Sequence, residues 1–600
     1  MGCRLTFLYL LAGLAVSPIK AQGQPEGASV KTELAERAYA VLKDRCYRCH
    51  GGASENAGLN VLSRESLLRE RGAGDAKIRF VVPNQPDDSG LWQVTEGDGA
   101  YMPLDGSPEA EAMTATERDL LKQWINAGAE FPKREVREFI RDADVLAAVR
   151  DFLFRAPAED RQYLRFYSFA HLHNNPSVTA FDLRLYRAAL AKAINSLSWE
   201  RDPVLPKALE GTEETVYGID LRDLGWDQRQ LWGEILKVYP YGLKYDFADD
   251  AQLKQLGQDV ALLAGGELPV LRADWFVVTA TKPPLYHTML DIPDELAPLD
   301  QRLGVNFQEA FRRGTLQRAG FAKSGVSKQH RMIERHSPPG TPYYWISYDF
   351  APRKAKSDLV RFPLGPKFDS NNFNKFAFDH DGGELIWSLP NGMQGYMLID
   401  NQGHRIDQGP IEIVFDRAAI LGTPVIINGI SCMNCHRHGM ITEFRDEVRN
   451  ANALAGPVRE KVRKLYPTQD QLAAATERDR QHFLKALEQI IGPFLKVGDD
   501  AERPIASFPE PIGRVAEMYS RDLGPTEVAL ELGVEDINVL KRRIKSNGHL
   551  LELGMGTLAQ PNPGTIKRDQ WETVDGTSLY HDVAVEVKPG VMPVIRSNGR

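Results

Sequence analysis

Two copies of one short motif, Cys-x-x-Cys-His, constrain this 600-residue chain more than any other feature of its sequence. They occupy residues 46–50 and 432–436. Two thiols three positions apart can form thioethers with the vinyl groups on one edge of a haem, and the histidine that follows can bind the iron as its proximal ligand. The predicted covalent attachment residues are Cys46, Cys49, Cys432 and Cys435, and the predicted proximal iron ligands are His50 and His436.

Three other interpretations of the motifs are weaker. A redox disulfide is typical of a thioredoxin-like βαβ unit, and the sequence around neither cysteine pair has that pattern. A zinc ion bound by four thiolates would leave both histidines without a role. Histidine makes up 13 of the 600 residues, so chance rarely places one directly after both cysteine pairs. The motifs therefore favour two haem c groups.

The N-terminus has the pattern of a secretory signal peptide. Arg4 precedes an apolar run over residues 5–16, and the small residues around Ala21 suit cleavage. The run is too short to span a bilayer, and no later segment reaches about 18 consecutive apolar residues. We therefore predict a signal peptide over residues 1–21, a periplasmic or otherwise exported mature chain, and no integral membrane segment. The alternative is a retained N-terminal anchor.

The net negative charge of the chain bears on which partners it can bind. The formal net charge is −8, and removal of Arg4 and Lys20 with the signal makes it more negative. Nucleic acid and anionic membranes repel a negative surface, so neither is expected as a partner. We expect one or more redox partner proteins, and a basic protein would suit this charge.

Residues 30–133 are predicted to form a small helical cytochrome domain around the first haem. Apolar residues recur at helical spacing over 32–43 and lead into the first motif. Thr114 and Glu117 have the pattern of a capping box, which opens a second helix, and Gly128 is typical of a helix end. Two helices that bracket one haem are the usual plan of a small cytochrome c.

Met102, between these two helices, is the predicted distal ligand of the first iron. It follows His50 by about fifty residues, which lets a loop approach the iron from the face opposite the histidine. A methionine thioether is soft and neutral, so it favours ferrous iron and raises the reduction potential. The alternative is a methionine that fills a gap in the core.

This part of the chain resembles the planctomycete-type cytochrome c domain. The resemblance rests on motifs that occur in order at residues 46–51, 62–68, 82–86, 89, 102–103 and 121–129. It implies a haem c with histidine and methionine ligands that serves electron transfer, often in a chain fused to larger domains.

Beyond residue 133 we predict three further regions. Residues 134–340 form a helical or mixed middle region, residues 341–500 form a β-rich module with the second haem motif, and residues 501–600 form a helical C-terminal region with a tail. In the β-rich module, an Asn-Gly turn at 391–392 and apolar runs such as 411–415 predict strands. The predicted fold class is multidomain: a small all-α cytochrome c domain, then a larger mixed α+β region with a second haem c site and a mainly helical C-terminal part.

The distal ligand of the second iron is left open by the sequence. Residues 394–407 and 428–432 resemble the larger part of uncharacterised bacterial dihaem proteins, a resemblance that brings no established reaction. The candidates are His287, His336, Met518 and Met555. His287 or His336 is the predicted ligand, although each also fits a structural histidine in the core or at the surface. A five-coordinate iron is a further alternative.

These features predict an exported dihaem c-type cytochrome that binds haem and transfers single electrons. The first alternative is a dihaem oxidase or peroxidase, in which the second haem reacts with peroxide or substrate and needs a nearby acid or base. The second alternative is a haem-bearing binding module. An electron carrier is favoured over a catalytic oxidoreductase, and no catalytic residue can be named.

Overall fold

The computed structural model describes most of the chain from residue 26 onward. The described residues are 26–47, 50–51, 54–55, 59–70, 78–95, 102, 113–132, 137–266, 268–322, 324, 326–352, 355–416, 421–561, 563–573 and 576–594. The predicted signal peptide over 1–21 lies outside them, and so does Cys49 of the first motif. The chain divides into two compact units, and the main boundary between them lies between residues 133 and 134 of the sequence.

The first unit is built on helices, as the sequence predicts. Up to residue 132 the described elements are α1 (Glu26–Arg45), β1 (His50–Gly51), β2 (Ser54–Glu55), α2 (Arg64–Leu68), α3 (Gly90–Thr95) and α4 (Ala115–Asn126). Thr114 and Glu117 form the predicted capping box of α4, which satisfies two backbone N–H groups that the first helical turn leaves unpaired. Helices α1 and α4 pack together, and their buried apolar residues form one core.

The second unit combines many helices with two larger sheets. Its helices are α5 (Asp142–Arg155), α6 (Ala170–His173), α7 (Ala180–Ser196), α8 (Leu231–Lys237), α9 (Ala251–Ala264), α10 (Ala273–Ala280), α11 (Leu285–Leu290), α12 (Leu296–Leu303), α13 (Phe307–Arg313), α14 (Ile430–Cys435), α15 (Gly456–Leu465), α16 (Gln469–Leu495), α17 (Pro511–Tyr519), α18 (Pro525–Glu531), α19 (Ile537–Ser546), α20 (Gly548–Glu552), α21 (Arg568–Glu572) and α22 (Leu579–Val587). Its strands are β3 (Leu164–Ser168), β4 (Lys207–Ala208), β5 (Val216–Asp220), β6 (Leu243–Lys244), β7 (Val270–Arg272), β8 (Gln317–Phe321), β9 (Arg331–His336), β10 (Tyr344–Asp349), β11 (Gly382–Ser388), β12 (Gln394–Asp400), β13 (Arg405–Ile406) and β14 (Met592–Pro593).

A six-stranded antiparallel sheet lies at the centre of the β-rich part. Its strand order is β13-β12-β11-β10-β9-β8, so each strand pairs with its neighbour in sequence. The Asn-Gly turn at 391–392 joins β11 to β12, as predicted, and Gly392 has the positive φ that such a turn requires. The sheet begins at Gln317, well before the module start predicted at residue 341. Charged residues such as Arg318 and Glu334 interrupt the apolar alternation of β8 and β9 and conceal these strands in the sequence.

One predicted strand of this module is wrong. Residues 411–415 contain no strand, because the backbone N–H groups of Ile413 and Val414 both donate to the carbonyl of Pro410 and close a turn. The apolar run is still used in packing, since Val414 and Ile426 form a small cluster with Leu398. Burial of these side chains therefore did not require a sheet.

Helices enclose the rest of the second unit. Helix α7 is buried along most of its length and packs against α10, α16 and α17. A smaller sheet with the order β4-β5-β3-β7 lies beside α5 and α10. The chain has two compact units and contains both helices and sheets, which is compatible with the predicted multidomain fold class. None of the described helices combines the length and the apolar character that crossing a membrane requires.

Candidate functional site

Helix α14 carries the second Cys-x-x-Cys-His motif and is held by close backbone packing at its start. Gly429, at its N-cap, has a φ of +82°, and a Cβ there would lie 2.4 Å from the carbonyl oxygen of Thr281. Only glycine fits both the conformation and the space. Cys432 is buried within α14, and Cys435 ends the helix with partial exposure. The first thiol of the motif is thus fixed in the protein interior.

His436 follows α14 and is oriented by a backbone carbonyl. Its Nδ1 lies 3.3 Å from the carbonyl oxygen of Gly439, which can only accept a hydrogen bond. A carbonyl oxygen beside Nδ1 is the contact that usually orients a metal-binding histidine, with Nε2 directed to the metal. Gly439 itself adopts a φ of +87°, so the short loop 436–439 needs this glycine.

A cavity of about 740 Å³ opens beside the motif and is lined by Cys432, Cys435 and His436. Its volume falls in the range of about 300–1,000 Å³ that small-molecule and cofactor sites occupy. One wall is a face of the six-stranded sheet. Apolar lining side chains include Ile333, Trp345, Ile386, Leu398, Ile426 and Met440. A largely apolar cavity, next to two thiols and an imidazole that a backbone carbonyl orients, fits the chemistry of a covalently bound haem.

Charged side chains interrupt the apolar sheet wall of the cavity, among them Arg331, Asp349 and Glu384. Arg331 lies 3.1 Å from a carboxylate oxygen of Asp349, and its Nη2 donates a 3.2 Å hydrogen bond to Glu384. Burial raises the pKa of Glu384, but His436 and Arg331 lower it more, to about 2. The wall therefore carries a glutamate that is ionised at neutral pH.

The thiols of the second site are held in their neutral form. Burial and nearby carboxylates raise the pKa of Cys435 to about 12, and burial raises the pKa of Cys432 well above its usual range. Both cysteines are free, with no disulfide. Attachment of a haem through thioethers requires reduced thiols that are not joined in a disulfide, and both cysteines meet that condition.

The first motif lies at the end of α1. The backbone N–H of Cys46 donates to the carbonyl of Leu42, and that of His50 donates to the carbonyl of Cys46. Cys46 packs against the core of the first unit. Met102 is half-buried, and its backbone N–H donates a 2.7 Å hydrogen bond to the carbonyl of Val94. Its role as the distal ligand stays a prediction.

The two histidines proposed for the second iron lie outside the wall of the cavity. His287 is buried, and its Nε2 accepts a 2.7 Å hydrogen bond from the side chain of Asn428. His336 is on β9, where its Nε2 lies 2.6 Å from Glu334. Successive residues of a strand point to opposite faces, so His336 faces away from the wall that Arg331 lines. Either histidine would reach the cavity only after these contacts broke.

Sequence reasoning missed Glu384, Arg331 and Asp349. The sequence does contain a signal for Glu384, because no other residue of the segment 382–387 has a charged side chain and the segment has the composition of a buried strand. Charged residues are almost never buried without a partner, so a charge inside such a strand indicates a site. Which faces and partners these residues have could be known only from the pairing of β9, β10 and β11.

The chain was compared with models of known protein families. Residues 46–105 match the family described as Planctomycete cytochrome C. This match confirms the predicted planctomycete-type cytochrome c domain in the N-terminal part and indicates a haem-binding cytochrome. No curated protein and no solved structure matches the chain.

Proposed function

We propose that this protein is an exported dihaem c-type cytochrome that transfers single electrons. The observation that carries the proposal is the second motif: Cys432, Cys435 and His436 line one largely apolar cavity of about 740 Å³, and a backbone carbonyl lies beside Nδ1 of His436. The family match over residues 46–105 supports haem at the first motif independently. A haem bound at each site supplies a one-electron ferric/ferrous couple.

The residues of the second site have complementary roles in this proposal. Cys432 and Cys435 retain the cofactor covalently, which prevents its loss outside the cytoplasm. The carbonyl of Gly439 orients His436, and the apolar wall excludes water, so the local dielectric is low and the reduction potential responds to nearby charges. Met102 is proposed as the distal ligand of the first iron, where a neutral thioether raises the potential.

The experiment that tests the proposal counts haems at each motif. The full chain would be produced with a c-type cytochrome maturation system, and the mass of the mature protein and its haem content would be measured. We expect two covalent haems in the wild type and one in each of the double variants C46A/C49A and C432A/C435A. A mature wild type with the mass of the bare polypeptide, or with zinc instead of iron, would refute the proposal.

One observation favours a catalytic oxidoreductase as the second candidate function. The cavity at the second motif contains ionisable side chains, Glu384 and Asp349, beside the guanidinium of Arg331. A peroxidase needs an acid or base next to an open iron position. Steady-state oxidation of an electron donor by peroxide, lost in the C432A/C435A variant and retained in C46A/C49A, would support this candidate over a simple carrier.

A further inference from the structure

The carboxylate of Glu384 faces the metal-binding nitrogen of His436 across the cavity. Its Oε2 lies 3.8 Å from Nε2 of His436, and both residues line the cavity wall. The two groups are in ion-pair contact, at a separation longer than that of an ordinary hydrogen bond. Imidazole nitrogens and carboxylate oxygens each bind metal ions at about 2.0–2.2 Å, so an ion on the line between two such groups separates them by about 4 Å. The observed gap fits an ion held between the two side chains.

We propose that Glu384 is the sixth ligand of the iron at the second site and binds the face opposite His436. This inference rests on the proposed function, because it requires a haem attached at Cys432 and Cys435. It assigns a ligand pair of histidine and carboxylate to the second iron, unlike the pair of histidine and methionine predicted for the first.

The surroundings of Glu384 hold its carboxylate in place. Arg331 donates hydrogen bonds from Nη2 to Glu384, at 3.2 Å, and to the hydroxyl of Ser347, at 2.8 Å. The same hydroxyl accepts a 3.0 Å hydrogen bond from the backbone N–H of Glu384. The Nε of the same guanidinium lies 3.1 Å from a carboxylate oxygen of Asp349. Outer contacts of this kind orient a ligand and keep it in its binding form before the metal arrives.

Other described groups near the cavity are less well placed to bind the opposite face of the iron. Met440 lines the cavity, but it follows His436 by four residues on the segment that leaves from the proximal side. Asp349 is paired with Arg331, and Glu443 is exposed at the cavity rim. His287 and His336 are engaged outside the wall. Glu384 is the described carboxylate whose oxygen is paired with Nε2 of His436.

An anionic ligand has a direct consequence for the potential of the second iron. A carboxylate stabilises ferric iron, which carries the higher charge, whereas a methionine thioether favours ferrous iron. The second site should therefore have the lower midpoint potential, and an electron that enters there would pass favourably to the first site.

The test compares E384Q with E443Q in the mature dihaem protein. Both variants exchange a carboxylate at the same cavity for an amide, but Glu443 is exposed at its rim. We expect E384Q to retain two covalent haems, to change the near-infrared magnetic circular dichroism and EPR signals of one ferric haem, and to raise the midpoint potential of that haem. E443Q should match the wild type in all three measurements.

The outcomes separate this inference from the proposed function. Two haems with the same spectra and potentials in E384Q, E443Q and wild type would overturn the inference alone. A wild type with haem only at the first motif would overturn both. If E384Q does not mature, the wild-type near-infrared spectrum decides, because the bands of a histidine–carboxylate pair differ from those of histidine–methionine and bis-histidine pairs; either of the latter at the second site would overturn the assignment.

Discussion

The ammonium group of Lys192 donates a 2.6 Å hydrogen bond to the carboxylate of Glu510, and both side chains are only 2% exposed. Glu510 is also the N-cap of α17, where it accepts a hydrogen bond from the backbone N–H of Gly513. Helix α17 packs against α14, which carries Cys432 and Cys435. This buried ion pair, formed by residues 318 positions apart, therefore fixes the helix that supports the second haem motif.

Removal of one partner of this pair should strongly destabilise the second unit. In E510Q, the charge of Lys192 stays buried without a counter-charge, so we expect the free energy of unfolding to fall by about 3–5 kcal/mol. Urea denaturation followed by circular dichroism measures the change. The matched control is E234Q, which breaks the exposed pair of Lys237 and Glu234 and should cost less than about 1 kcal/mol. Equal effects of the two variants would contradict this role.

Gly513 should tolerate no side chain, because α17 approaches the haem motif closely there. A Cβ would lie 2.4 Å from Oδ1 of Asn434, one of the two residues between the motif cysteines, and 3.0 Å from Glu510. We expect G513A to lower stability by about 1–3 kcal/mol and to reduce the yield of haem at the second motif, measured by mass. G548A is the control, since nothing lies within 4 Å of its added methyl group. Full haem loading of G513A would contradict this prediction, because it would show that α14 can shift to make room for the added methyl group.

Glu531 should make stability depend on pH in the acid range. It lies between Arg272 and Arg568, and although burial raises its pKa, these two charges lower it further, to about 2. An unfolded glutamate has a pKa of about 4.3. Because the folded pKa is the lower one, the stabilisation is complete above about pH 5 and is lost as the pH falls toward 2.

The variant E531Q isolates this contribution. We expect it to be less stable than the wild type by about 3–5 kcal/mol at pH 7, since it leaves two buried guanidinium groups short of charge. The difference between the two proteins should shrink as the pH is lowered from 5 to 3, in urea denaturation at each pH. E535Q changes an exposed glutamate four residues later, and its difference in stability from the wild type should not depend on pH in this range. A difference that stays constant with pH would rule out ionisation as the cause.

Met102 should set the potential of the first haem without a large effect on stability. Replacement by leucine keeps the volume but removes the sulfur, so we expect M102L to lower the midpoint potential of the first haem and to change stability by less than about 1.5 kcal/mol. Spectroelectrochemical titration measures the potential. M113L, at a buried methionine in the core of the same unit, is the matched control. An unchanged potential in M102L would assign Met102 to packing.

Local signals in the sequence were sufficient for several elements. The capping box at Thr114 and the turn at 391–392 are fixed by neighbours within three or four residues, and both are present. The apolar run at 411–415 has the composition of a strand but forms a turn after Pro410. A strand also needs a partner, and a pattern in one segment cannot tell whether a free sheet edge lies beside it.

The sequence by itself determined the two Cys-x-x-Cys-His motifs on which the proposed chemistry rests. One of them lies within the cytochrome c family match, and both can be recognised without the fold, because each comprises five consecutive residues. Only the tertiary structure decided what faces the second motif. Glu384 lies 52 positions before His436 in the chain, and it reaches the cavity because the pairing of β10 with β11 turns its side chain to that face of the sheet. His336 points to the opposite face, because side chains alternate between the two faces along β9. Such contacts depend on strand pairing between distant segments, which local periodicity does not encode.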